Sequence, residues 1–210
     1  LTASSGDKLS KRDNVISIEG FRDKHIEPLA ILSLLATIGT SNSIELKDNL
    51  QQIIDEFRIK TISTAPGRIE IDLLNSLNKK LIQKFDYSEI EDRLKKIDER
   101  IDRNFWETTR GNLDIVEDIK GWGDIVFNSN LIEPVDREFI KIALDLMPDE
   151  PWNDETWSNW TSKIKDKTGK KGKDLFLPLR EAFTGMSHGP EMKKLIQLLG
   201  RDKILERVKI

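Results

Sequence analysis

The sequence predicts a mainly α-helical protein with one or two short strands in its first half. Three observations predict this. Apolar residues recur at spacings of three and four along most of the chain. Pro, Gly and capping patterns punctuate that rhythm where helices would start and stop. The stretch Thr61–Ile71 breaks it, with Ile59, Ile62, Ile69 and Ile71 set around a Pro66-Gly67 turn.

Taken in order, Pro28 opens a helix through Leu29, Leu32, Leu35 and Ile38, and Gly39 closes it. Residues 47–57 repeat the pattern with Leu50, Ile53, Ile54 and Phe57. After the strand-like stretch, Asp72 caps a helix carrying Leu73, Leu74, Leu77, Leu81 and Ile82. Ser88-Glu89-Ile90-Glu91 has the form of a capping box. The helix it starts is expected to carry Ile90, Leu94, Ile97, Ile101 and Phe105 on one face over four turns and to end by Gly111.

Leu113, Val116 and Ile119 predict a short helix interrupted at Gly121-Trp122-Gly123, and Pro134 starts the next, with Val135, Phe139, Ile142 and Leu146. Pro148 and Pro151 end it. A helix from Asn153 or Asp154 carries Trp157 and Trp160. Residues 174–184 form another, with Pro178 inside and Gly185 after it. Gly189-Pro190-Glu191 is expected to start a helix with Pro at its first position, and Gly200 separates it from the last, which begins at Arg201. The breaks at 86–88 and 147–151 mark two domain boundaries.

Composition narrows the chemistry. The 210 residues are 37% hydrophobic and 34% charged, with 12 Gly and 7 Pro, which fits a folded, highly charged protein. The absence of cysteine removes disulfides, thiol nucleophiles and Cys-based zinc sites, and His25 and His188 lie too far apart in sequence to suggest a metal pair, so no metal ligands are assigned. The longest apolar run, Leu29–Ile38, is well short of the ~20 residues that cross a bilayer. No membrane partner is expected, and with no targeting motif the expected compartment is the cytoplasm. The start, Leu-Thr-Ala-Ser-Ser-Gly, reads as a cut end inside a longer protein. The net charge of −3 conceals segregation: residues 112–160 carry −9 and residues 161–210 carry +7. The basic end is a candidate polyanion-binding surface or simply a solvated helix face.

Three segments have chemical potential. Lys8-Leu9-Ser10-Lys11-Arg12 sets two mobile cations three residues apart around a hydroxyl, suited to a polyphosphate and to charge growing on a leaving pyrophosphate; the plainer reading is a charged turn. Residues 177–192 place Arg180 before a glycine-rich turn and a fresh helix start, with Pro190 and Met192 as apolar surface for unstacked bases; the plainer reading is a helical hairpin. Trp152, Trp157 and Trp160 precede six lysines between Lys163 and Lys173. Tryptophans at that spacing read first as core and otherwise as a stacking platform for bases.

In order and spacing, these segments resemble the C-terminal part of bacterial glutamyl-tRNA synthetases, class I aminoacyl-tRNA synthetases. Lys8-Leu9-Ser10-Lys11-Arg12 looks like the family's K-L-S-K-R version of its KMSKS-type loop. Residues 27–39, the run from Ala65 to Asn78, and Pro178-Leu179-Arg180, Thr184-Gly185 and Gly189-Pro190 are similar to later family segments. Trp157-Ser158-Asn159-Trp160 and Thr168-Gly169-Lys170-Lys171-Gly172 look most like the alphaproteobacterial branch.

The resemblance implies a ligase that activates glutamate with ATP and Mg²⁺ and transfers it to tRNA(Glu), tRNA(Gln) or both. Lys8 and Lys11 would be catalytic loop lysines, with Lys11 on ATP. Residues 1–12 would end a truncated catalytic domain, 13–85 would contact the tRNA stem, and 86–148 and 149–210 would be helical anticodon-binding subdomains. Arg180, Gly189, Pro190 and Met192 fall at anticodon contacts, although Gly189 stands where some members carry threonine. A second family arginine reads the third anticodon base and decides whether tRNA(Gln) is excluded; Arg110 is its nearest match, with Thr109 the alternative. The resemblance also implies a monomer, no zinc in this part, and no activity without an upstream Rossmann domain that binds glutamate and ATP. The competing readings are a non-enzymatic RNA-binding helical module and a helical protein–protein scaffold.

Overall fold

The computed structural model describes residues 2–3, 17–128 and 130–210. They form a mainly α-helical protein, as the apolar spacing requires. The loop at Lys8, Leu9, Ser10, Lys11 and Arg12 lies outside the described residues.

The chain divides into two compact units, Leu1–Ile90 with Leu113–Asp118, and Glu91–Asn112 with Ile119–Ile210. The first contains α1 (Ile18–Asp23), α2 (Pro28–Thr37), α3 (Leu50–Glu56) and α4 (Ile71–Lys84). Strand β1 (Thr2–Ala3) pairs in parallel with β2 (Arg68–Ile69), so the strand-like stretch supplies one short strand whose partner comes from the start of the chain.

Pro28 occupies the first turn of α2, where its missing N–H costs nothing. The core of this unit joins Phe21, Ile26, Ala30, Ile31 and Leu34 to Ile69, Leu74, Leu77 and Leu81. A buried amide fastens it. Asn78 Oδ1 accepts from the Glu27 N–H at 2.8 Å, and its Nδ2 donates to the Asp114 carbonyl at 2.8 Å. The Glu27 side chain makes no cap for α2, so this bond from α4 anchors the approach to that helix.

Helix α5 (Tyr87–Ile97) starts earlier than the Ser88 pattern predicts, because the Glu89 carboxylate reaches back to the Asp86 N–H at 2.8 Å. The expected four-turn helix is two. It stops at Ile97, and α6 (Arg103–Thr109) begins after Asp102, whose carboxylate accepts from the Phe105 N–H at 2.8 Å. The apolar face is kept across the break, since Leu94, Ile101 and Phe105 are all buried.

Two further boundaries differ from expectation, one through packing and one through a cap. Helix α7 (Ile119–Phe127) runs through Gly121-Trp122-Gly123 without interruption. Ile119, Trp122, Gly123 and Val126 share its buried face, so the two glycines flank an anchor. Helix α8 (Arg137–Asp145) starts after Asp136, which accepts from the Phe139 N–H, rather than at Pro134.

The remaining helices are α9 (Thr156–Thr168), α10 (Lys173–Thr184), α11 (Met192–Leu199) and α12 (Arg201–Arg207). Trp160 centres this part of the core. It stacks on Phe183 at 5.3 Å, meets Trp157 edge-on at 5.9 Å, and donates through Nε1 to the Ala143 carbonyl at 2.8 Å. The core reading therefore holds for Trp160. Arg207 is buried as well. Its guanidinium donates to the carbonyls of Phe183 at 2.7 Å, Asn128 at 2.8 Å and Ile125.

Candidate nucleic-acid interface

An open cleft of about 300 Å³ lies in the second unit, lined by Trp157 from α9, Phe176 and Arg180 from α10, and Glu191, Met192 and Lys193 at the start of α11. On α10 the buried face is Leu175, Leu179, Ala182 and Phe183. Phe176 and Arg180, four residues apart, share the neighbouring face and point together toward the cleft. Phe176 is 45% exposed, and its ring lies 6.4 Å from that of Trp157. Two aromatic rings thus border one side of a solvent-open recess.

Arg180 is held at one end only. Its Nη2 donates to the Pro190 carbonyl at 2.8 Å, while Nη1 is buried and has no hydrogen-bond partner among the described residues. Burial pushes the guanidinium pKa below the usual arginine range, since the charged form loses water without gaining a carboxylate. A planar donor group that lines an open cleft with one edge anchored is suited to an acceptor supplied from outside, such as a base edge or a phosphate oxygen, with Nη1 turning out of its buried place to reach it.

The turn that holds Arg180 differs from the expected helix start. Helix α11 begins at Met192, two residues after Pro190. The Glu191 carbonyl takes the first helical bonds, from the Lys194 and Leu195 N–H groups, whereas the Pro190 carbonyl is given to Arg180. Pro190 is buried in the turn and offers no apolar surface for a base, which corrects that part of the expectation. Met192 is 6% exposed and contributes only to the cleft wall. Gly189 has φ 139°, and a Cβ there would lie 2.1 Å from Trp122 Cη2. A side chain at 189 has no room beside that indole.

Charges at the mouth are partly neutralised. Lys193 pairs with Glu191 at 3.0 Å, a hydrogen bond that raises the lysine pKa, and Lys194 pairs with Asp154 at 2.9 Å. Of the six lysines between 163 and 173, Lys170 is engaged, with Asp136 at 2.5 Å and over the Phe139 ring at 4.3 Å. The other five are exposed.

Of the two candidates at the α6 end, Thr109 is buried and donates its hydroxyl to the Phe105 carbonyl at 2.9 Å, whereas Arg110 is partly exposed. The structure brings Arg180 and Met192 together at the cleft, with Pro190 behind it bonded to Arg180 and Gly189 packed against Trp122. Sequence reasoning missed Phe176 altogether. Its four-residue spacing from Arg180 was the available signal. Among the described residues no group of three or more His, Cys, Asp or Glu could hold a metal ion, and no helix is long and apolar enough to cross a membrane.

Residues 80–210 match the family model described as an anticodon binding domain. All of the chain aligns with glutamate--tRNA ligase 1 of Bartonella quintana (strain Toulouse), 40% identical over 215 residues, and with glutamate--tRNA ligase 1 of Anaplasma marginale (strain St. Maries), 37% identical over 211. It spans 47% and 48% of those two proteins, about half their length. Among solved structures, a glutamate tRNA ligase from Elizabethkingia meningosepticum shares the fold, with a TM-score of 0.79 and 16% identity over 98% of this chain and 48% of that one.

Proposed function

Because the chain belongs to the anticodon-binding-domain family, we propose that it binds tRNA(Glu), tRNA(Gln) or both through the Arg180 cleft, as the C-terminal part of a glutamate--tRNA ligase. The observation that carries this reading is the half-satisfied guanidinium of Arg180 beside two accessible rings. An anticodon loop presents unstacked bases. Phe176 and Trp157 supply faces for one such base to stack on, worth about 1–3 kcal/mol per base. Arg180 supplies donors to its edge, and the exposed lysines of α9 and the following turn supply charge for the backbone phosphates.

The other sites follow the same reading. Residues 13–85 contact the tRNA stem, and 86–148 with 149–210 form the anticodon-binding part. Gly189, Pro190 and Met192 act by shaping the turn that presents Arg180. Arg110, partly exposed at the end of its helix, is preferred to Thr109 as the side chain that approaches a base, since the Thr109 hydroxyl is already used inside its helix. Lys8 and Lys11 serve the ATP-dependent step of the longer enzyme, in which glutamate is activated with ATP and Mg²⁺ and passed to the tRNA; Lys11 contacts ATP. The protein works as a cytoplasmic monomer, and these 210 residues alone do not catalyse the reaction.

The test is a titration of the chain with a tRNA(Glu) transcript and with one whose anticodon is altered. Arg180→Ala is expected to weaken the cognate transcript by about 1–3 kcal/mol and the altered one less. Equal losses would make Arg180 a phosphate contact or a structural residue.

A further inference from the structure

We infer that Trp122, remote from Arg180 in sequence, is a positioning residue that sets the direction of the Arg180 guanidinium and so the selectivity of the cleft. The inference rests on the reading of Arg180 as a base contact. Trp122 is anchored on the buried face of α7 and is 8% exposed. Its six-membered ring fills the space beside Gly189: an added Cβ would lie 2.1 Å from Cη2, 2.8 Å from Cζ2 and 3.1 Å from Cζ3. A side chain at 189 and this indole exclude one another.

The contact continues directly to the cleft. Gly189 is joined to Pro190, and the Pro190 carbonyl is the acceptor that holds Arg180 Nη2 at 2.8 Å. The indole thus supports the glycine, the glycine sets where the proline carbonyl points, and that carbonyl orients the arginine. Gly189 sits at φ 139°, a conformation a side-chain-bearing residue rarely adopts, so the turn depends on its neighbours for its shape. A smaller side chain at 122 leaves a void against a backbone that glycine makes permissive. The turn then relaxes and Arg180 loses its fixed aim. Hydrogen-bond readout needs donors held within about 0.5 Å of the productive place, so a modest relaxation is sufficient.

The experiment compares wild type, Trp122→Phe, Trp122→Leu and Arg180→Ala, each binding two labelled transcripts, tRNA(Glu) and the same tRNA with an altered anticodon, with thermal midpoints recorded in parallel. Trp122→Leu is expected to lower the preference for the cognate anticodon about tenfold, the scale of one good base contact. Trp122→Phe, whose smaller ring leaves a gap beside Gly189, is expected to lower the preference measurably but less than the leucine variant, and it carries the test if the leucine variant does not fold: an unchanged preference in a folded Trp122→Phe then overturns the inference. Affinities that fall equally for both transcripts, or do not change, overturn the inference. If Arg180→Ala alters the preference and neither Trp122 variant does, positioning by Trp122 fails while the reading of Arg180 stands. If Arg180→Ala leaves the preference intact, both fall together.

Discussion

Arg207 Nη1 donates to the carbonyl of Phe183, 2.7 Å away, so the last turn of α12 is tied to the last turn of α10. The same guanidinium serves Asn128 and Ile125 at the end of α7. A buried cation without a carboxylate is normally costly. Here the carbonyl ends of two helices replace it, each carrying the partial negative charge of a helix C-terminus. Arg207→Met keeps the apolar stem and strands three acceptors, which should cost about 3 kcal/mol in urea unfolding. Arg207→Lys should restore only part, because an ammonium lacks the planar fork that spans separate carbonyls. Equal stability of Met and wild type would show that the network contributes nothing.

Asn78 makes a comparable link in the first unit. Asn78→Ala removes the acceptor for the Glu27 N–H and the donor for the Asp114 carbonyl together. The expected loss is about 2–4 kcal/mol, with two buried partners left unsatisfied. Hydrogen exchange should rise at the Glu27 amide before it rises at the buried turns of α4. A protected Glu27 amide in the variant would contradict this account.

Asp136 provides a pH signature. Its pKa is lowered first by the hydrogen bond from Lys170 and then by the Phe139 N–H. A carboxylate whose folded pKa is depressed stabilises the fold above its unfolded value, and that contribution is lost as pH falls through the folded value. Asp136→Asn preserves a capping side chain and deletes the charge. The variant should melt below wild type at neutral pH, and the gap should close in acid, below the ordinary aspartate range. A gap that persists undiminished there would assign the effect to capping geometry.

Phe176→Ala should weaken tRNA binding by about 1–3 kcal/mol through loss of a stacking face. Thermal stability should change little, since Phe176 lies largely outside the core. A large drop in melting temperature with unchanged binding would make the residue structural.

The helical rhythm, Pro28 at a first turn, and Gly185 and Gly200 at helix ends were legible in the sequence because they are local. What was not legible is non-local. Nothing near Gly121 or Gly123 announces that Trp122 must face inward, and a glycine pair reads as a break until the packed face is seen. Pro190 reads as a helix start, yet its carbonyl is claimed by an arginine ten residues earlier and α11 begins at Met192, a competition invisible to pattern. At the cleft, Arg180 could be found from its own segment, whereas Trp157 arrives from another helix.

The division into two units has an optical consequence. All five tryptophans, at 106, 122, 152, 157 and 160, fall in the second unit, and the first holds the single tyrosine, Tyr87. Indole emission therefore witnesses only one half of any melting curve, while far-ultraviolet dichroism witnesses both. Transitions that fail to coincide between the two signals would reveal the halves letting go separately, without a label on either.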